Sequence, residues 1–81
     1  MKAQDYTEAL ANYTLSIEMD PDEPTTYCNR AMVYLKLKDF PKVIEDANTA
    51  LRIKPDYLKA YHRRGKAYQA TNKLELAIKD F

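Results

Sequence analysis

Glycine is nearly missing from this chain: Gly65 is the only one in 81 residues. Loops that wrap phosphates with backbone amides need several glycines, so phosphate-loop and dinucleotide chemistry are excluded. Cysteine is as scarce. Cys28 alone rules out an intramolecular disulfide, and with the single histidine, His62, it falls short of the four ligands of a structural zinc site. No metal and no cofactor are expected. Cys28 and His62 are the two residues that invite comparison with a thiol–imidazole pair, yet no glycine-rich oxyanion turn and no convergent acid accompany them. The chain is not expected to be an enzyme. An apolar run of the roughly 20 residues that cross a bilayer is absent, and Met1-Lys2-Ala3-Gln4-Asp5 does not lead into a signal-peptide core. No membrane partner is expected, and a reducing cytoplasmic or nuclear setting is. A one-sided charge is missing too, with 13 Lys and Arg against 12 Asp and Glu and a formal net charge of +1. Nucleic-acid domains depend on a broad basic excess, so no nucleic-acid partner is expected.

What is present is helix-forming. A chain with 46% hydrophobic and 31% charged residues is one globular unit rather than a disordered tail. Pro21, Pro24, Pro41 and Pro55 divide it into segments without strand-like alternation. Residues 6–20 carry Ala9, Leu10, Tyr13 and Ile17 at steps of three and four, as one face of a helix requires. Residues 25–38 repeat the pattern with Tyr27, Ala31, Tyr34 and Leu35. Asp39 is placed to cap a third helix, with Pro41 in its first turn and Ile44, Ala47 and Leu51 on its apolar stripe. Asp56 is placed to cap a fourth, and a last helix is expected to begin near Leu74.

These segments share one period, of thirty-four positions. Pro55 follows Pro21 at that spacing, and so does Asp56 follow Asp22, Tyr61 Tyr27, Arg64 Arg30, Tyr68 Tyr34, Ile78 Ile44 and Asp80 Asp46. The register extends backwards, pairing Tyr6 with Phe40, Leu10 with Ile44 and Ile17 with Leu51. Small residues at Ala9, Ala31, Gly65 and Ala77 mark where paired helices approach closely.

A helical period of this length with these residues resembles the tetratricopeptide repeat family. Tyr27, Ala31, Tyr34, Val43, Ala47 and Pro55 stand at the family's motif places in one repeat, and Tyr61, Gly65, Tyr68, Ala77 and Phe81 in the next. The resemblance implies an all-α solenoid of antiparallel helix-turn-helix units, with a concave groove lined by the first helix of each pair. In this register residues 1–21 are the second helix of a first repeat, 22–55 a full repeat and 56–81 most of a third. The array is then expected to be incomplete at both ends, and self-association through exposed terminal helices is expected with it.

The basic stretch at residues 59–68 is local rather than general. At about 100° per residue, Lys59, Arg63 and Lys66 fall within roughly 60° of one another, opposite Tyr61, Gly65 and Tyr68. The resemblance extends to tetratricopeptide co-chaperones that hold the free C-terminus of heat-shock chaperones in a carboxylate clamp. Asn29, before Arg30 and Ala31, matches that clamp's asparagine, and Lys59 and Arg63, flanking Tyr61, match its lysine and arginine. What this implies is an adaptor binding the acidic Glu-Glu-Val-Asp tail of a cytosolic chaperone of the seventy- or ninety-kilodalton class through a partial clamp. Cys28, Met32, Leu35, Lys36, His62 and Lys66 are expected to line the groove around it. Arg30 and Arg64 are expected to lay their stems on neighbouring helices and lead their heads outward. Two other classes stand beside this reading: a scaffold whose groove takes a helix or another protein subunit without a clamp, and weak RNA binding through residues 62–66.

Overall fold

The computed structural model describes the backbone of residues 3–79 and the side chains of residues 5–71. Four helices follow one another: α1 (Ala3–Met19), α2 (Pro24–Lys36), α3 (Phe40–Ile53) and α4 (Leu58–Lys79). Among the described residues there is no strand.

Local chemistry sets the boundaries. Pro24 opens α2 at a position where its missing N–H is no loss, and the Glu23 carboxylate accepts from the Thr25 N–H at 3.2 Å. At the other end of α2 the N–H of Asp39 bonds Tyr34 O and that of Lys38 bonds Leu35 O, a reversal that requires the left-handed region. Lys38 occupies it with φ 64°, where glycine is the usual residue. Asp39 precedes α3, but its side chain makes no capping bond; Pro41 supplies the start.

Two expectations about helix ends are corrected. α4 begins at Leu58, so Tyr57 rather than Asp56 immediately precedes its first turn. The break expected before Leu74 does not occur, and α4 continues to Lys79. One period after Lys38 and Pro41 stand Asn72 and Glu75. No proline interrupts the helix formers Lys73, Leu74, Glu75, Leu76 and Ala77. The packing roles expected of Ala77, Ile78, Asp80 and Phe81 lie outside the described residues.

Successive helices pack antiparallel into a slab 16 Å deep in its thinnest direction. So thin a body has no room for a bulky core. Ala31, Ala47, Ala50, Ala60 and Ala67 are fully buried, and the largest fully enclosed side chains are Val33, Val43 and Cys28. One layer gathers Tyr27, Ala47, Ala50 and Ala60 under Ile17, Leu51, Ile53 and Tyr57; a second gathers Ala31, Val43 and Ala67 under Tyr34, Leu35, Phe40 and Ile44. Alanine at these crossings lets α4 lie against α2 and α3 together.

Candidate functional site

The meeting of α2 and α4 decides which side chains reach the surface together. Ala60 and Ala67 form the buried stripe of α4. At about 100° per residue Arg63 and Arg64 leave on opposite sides of that stripe. Arg64 turns toward α3, where its Nη1 donates to Asn48 Oδ1 at 2.8 Å and its guanidinium lies 5.2 Å from the Tyr61 ring centroid. Arg63 turns toward α2. Its Nε is buried and has no hydrogen-bond acceptor among the described residues.

On α2 the matching sector holds Thr25, Asn29, Met32 and Lys36. It lies between Cys28, on the α4 side, and Val33, on the other. Thr25 and Lys36 are exposed and Asn29 and Met32 half-buried, so nothing in the molecule covers this face completely. The amide of Asn29 and the ammonium of Lys59 make no hydrogen bond or ion pair within the described residues. Tyr57 ties the two helices at one end of this face, its hydroxyl 3.3 Å from Thr25 Oγ1. An open hollow lined by Thr25, Lys54, Asp56, Tyr57, Leu58 and Lys59 adjoins it. Sequence reasoning does not identify Lys54, Tyr57 or Leu58. Tyr57 corresponds to Glu23 in the repeat register, so no repeated motif marks it.

Cys28 lies beneath this face rather than on it. It is 2% exposed, and burial pushes its thiol above the ordinary range; the positive charges of Arg63 and Lys59 act in the opposite direction without overcoming burial. The thiol is therefore protonated at neutral pH, a buried backing to the groove rather than part of its lining. His62 is exposed and lines a hollow with Tyr61, Gly65, Lys66 and Gln69 on the outward side of α4, away from Cys28. The two are not brought together as a thiol mechanism needs. Leu35 turns part of its surface into the layer of Ala31, Val43 and Ala67. Lys66, about a third of a turn from the buried stripe, borders both the groove side and the outward hollow.

Arg30 corrects the expectation that its head leads outward. Its Nε and Nη2 grip Asp46 Oδ2 and Oδ1 at 2.8 and 2.7 Å, and Nη1 reaches Thr14 Oγ1 at 3.3 Å, so one guanidinium joins α1, α2 and α3. The aspartate hydrogen bond holds this arginine further above its already high ordinary pKa. The signal is present in the sequence: arginine and aspartate recur together one period later, as Arg64 and Asp80. Arg30 spans the rings of Tyr27 and Tyr34, 6.0 and 5.9 Å from their centroids. It anchors a side of α2 about 100° round from Asn29. Among the described residues no cluster of three His, Cys, Asp or Glu side chains is arranged to hold a metal ion, and no helix is long and apolar enough to cross a membrane.

Models described as "Tetratricopeptide repeat" match residues 24–57 and 58–81, and one described as "TPR repeat" matches residues 1–38. RNA polymerase II-associated protein 3 of Homo sapiens is 43% identical over 76 residues, which are 94% of this chain and 11% of that protein. Among solved structures, the first TPR of Spaghetti (RPAP3) bound to the HSP90 peptide SRMEEVD is similar with a TM-score of 0.81 and 44% identity, over 93% of this chain and 61% of that one. The TPR2B domain of yeast Sti1 in a pHsp70 complex is similar with a TM-score of 0.81 and 33% identity, over 94% and 61%. The chain thus spans about a tenth of that curated relative and about three fifths of these solved domains.

Proposed function

The chain belongs to the tetratricopeptide repeat family, and we propose that it is a peptide-binding adaptor for the acidic C-terminal tails of heat-shock chaperones. The observation that carries this reading is the state of Arg63: a guanidinium whose Nε is buried without an acceptor, beside Lys59 and opposite an unengaged Asn29. A buried donor without an acceptor is destabilising in the free protein, and a carboxylate supplied by a ligand removes that penalty. A peptide ending in aspartate offers two carboxylates at one residue. Arg63 and Lys59 give charge-assisted bonds to them and the Asn29 amide a neutral donor. The half-buried Met32 and the exposed Lys36 then meet the residues upstream, an apolar side chain and acidic ones respectively. The likeness to a domain bound to the peptide SRMEEVD supports the same ligand class. A role in the cytoplasm or nucleus goes with this reading, as does presentation of a further partner by the longer protein in which such a module sits.

The test is a titration of peptides ending Glu-Glu-Val-Asp as free acid and as C-terminal amide. Charge-assisted hydrogen bonds contribute about 1.5–3 kcal/mol each, so amidation is expected to weaken binding by about tenfold or more. Arg63→Ala is expected to remove most binding while helicity is retained. Equal affinity for acid and amide overturns the clamp and leaves a groove that reads internal peptide sequence.

A further inference from the structure

A single polar tie joins the two walls of the groove. Elsewhere arginines link the helices: Arg30 bonds Asp46 and Thr14, joining α2 to α3 and α1, and Arg64 bonds Asn48, joining α4 to α3. Between α2 and the start of α4 the described residues make one side-chain hydrogen bond, from the Tyr57 hydroxyl to Thr25 Oγ1 at 3.3 Å. Its place is telling. Thr25 precedes Asn29 by about one turn, roughly 6 Å along the axis of α2, and Tyr57 precedes Lys59 by two residues. The tie therefore stands beside the groups assigned to the ligand's carboxylates, with one end on each wall.

Both partners are themselves held. The Tyr57 N–H donates to Lys54 O and its carbonyl accepts from the Ala60 N–H, each at 3.1 Å. Its half-buried ring packs on the layer of Tyr27, Ala47, Ala50 and Ala60, with the Lys54 ammonium 5.6 Å from the ring centroid. On the other wall the Glu23 carboxylate holds the Thr25 N–H. A bond between two fixed groups transmits position from one helix to the other. Nor does the repeat require it: Tyr27 and Tyr61 close onto proline carbonyls six residues earlier, whereas the residue one period before Tyr57 is Glu23. A carboxylate gripped from two helices at once needs its donors placed to within about 0.5 Å. We propose that Tyr57 is a positioning residue for this groove. Through Thr25 it fixes the spacing between the wall bearing Asn29 and the wall bearing Lys59 and Arg63, a role that rests on the carboxylate-binding reading given above.

A mutant cycle read by peptide titration tests this, with peptides ending Glu-Glu-Val-Asp as free acid and as amide. Tyr57→Phe removes only the hydroxyl and is expected to weaken binding of the acid by about three- to tenfold, with helicity and cooperative melting retained. Thr25→Val is expected to give the same loss, and the double variant no more than either alone. Thr25→Ser keeps the hydroxyl and is expected to keep the affinity. The ratio of acid to amide affinity is expected to fall in Tyr57→Phe, because the acid carries the additional carboxylate that both walls have to grip. Losses that add in the double variant overturn the proposal, since Thr25 and Tyr57 then act separately. An unmodified chain that prefers the acid, with that preference undiminished in Tyr57→Phe, overturns the role of Tyr57 and leaves the carboxylate reading standing. Equal binding of acid and amide by the unmodified chain overturns both.

Discussion

Replacing Arg30 by alanine is expected to remove a large part of the stability that holds the groove open. Its guanidinium lies 2.8 and 2.7 Å from the two oxygens of Asp46, a side chain 5% exposed, and no other described group hydrogen-bonds that carboxylate. Truncation leaves the carboxylate buried and unpaired, which costs about 3–5 kcal/mol. A chain of this length has a total stability of about 4–12 kcal/mol, so the variant is left marginal. In thermal terms, at about 4–8 °C per kcal/mol, the midpoint falls by at least about 12 °C. Urea melts followed by circular dichroism measure the loss directly. A cycle of Arg30→Met, Asp46→Leu and the double variant separates the pair from the packing of the arginine stem on Tyr27 and Tyr34. The double variant is expected to be far more stable than the sum of the single losses implies, because it removes both charges. A loss below about 1 kcal/mol in Arg30→Ala, the value of an exposed ion pair, refutes the reasoning, since it would mean that water reaches Asp46 in the native state.

Arg64→Ala, by contrast, loses one exposed hydrogen bond to Asn48, and its stability is expected to fall by under about 1 kcal/mol in the same melts. The preference for a free C-terminal carboxylate should survive that change; its loss would reverse the roles given to Arg63 and Arg64. Lys38→Gly relieves a left-handed lysine and is expected to raise stability by about 0.5–1 kcal/mol after the entropy of glycine in the unfolded chain is subtracted. A destabilised glycine variant would show that the lysine side chain contributes more than its backbone strain removes. Burial raises the Cys28 thiol, so as pH rises through the ordinary thiol range the unfolded chain gives up its proton first, and stability falls. Cys28→Ser is expected to flatten that part of the pH profile and to keep peptide affinity within a few-fold. A profile identical to that of the unmodified chain refutes the assignment.

The helical period is legible because it is written twice. Tyr27 and Tyr61 each donate to a proline carbonyl six residues earlier, Pro21 and Pro55, at 2.9 Å, so identical spacing produces identical closure. The opposite directions taken by Arg63 and Arg64 are legible from helical phase alone, since one step of about 100° carries them to opposite sides of a buried alanine stripe. The role of Arg30 is less plain, because an arginine stem on a helix surface usually ends in a solvated head; what marks it is the recurrence of arginine and aspartate at the same spacing one period later, as Arg64 and Asp80. The start of α4 is displaced by one residue from its expected place because Asp56 carries the better capping side chain although Tyr57 holds the position. The missing break before Leu74 has a plainer cause: the turn at Lys38 and Pro41 is enforced by proline, and its counterpart is not. Cys28 lies under the groove rather than in it because periodicity gives a direction from the helix axis but not how closely the neighbouring helix approaches.

The backbone of α1 approaches α2 and no other helix, whereas α2 is in contact with α1, α3 and α4. Under tension applied at its two ends, the molecule is therefore a set of elements loaded in series. No sheared array of strands resists the pull, and helices peel away one interface at a time, at low force and with a stepped extension. The α2 helix is the exception, because three contacts have to open before it is released. Cys28, Asn29 and Met32 sit on that helix, so under load they are released only after its contacts with α1, α3 and α4 have opened.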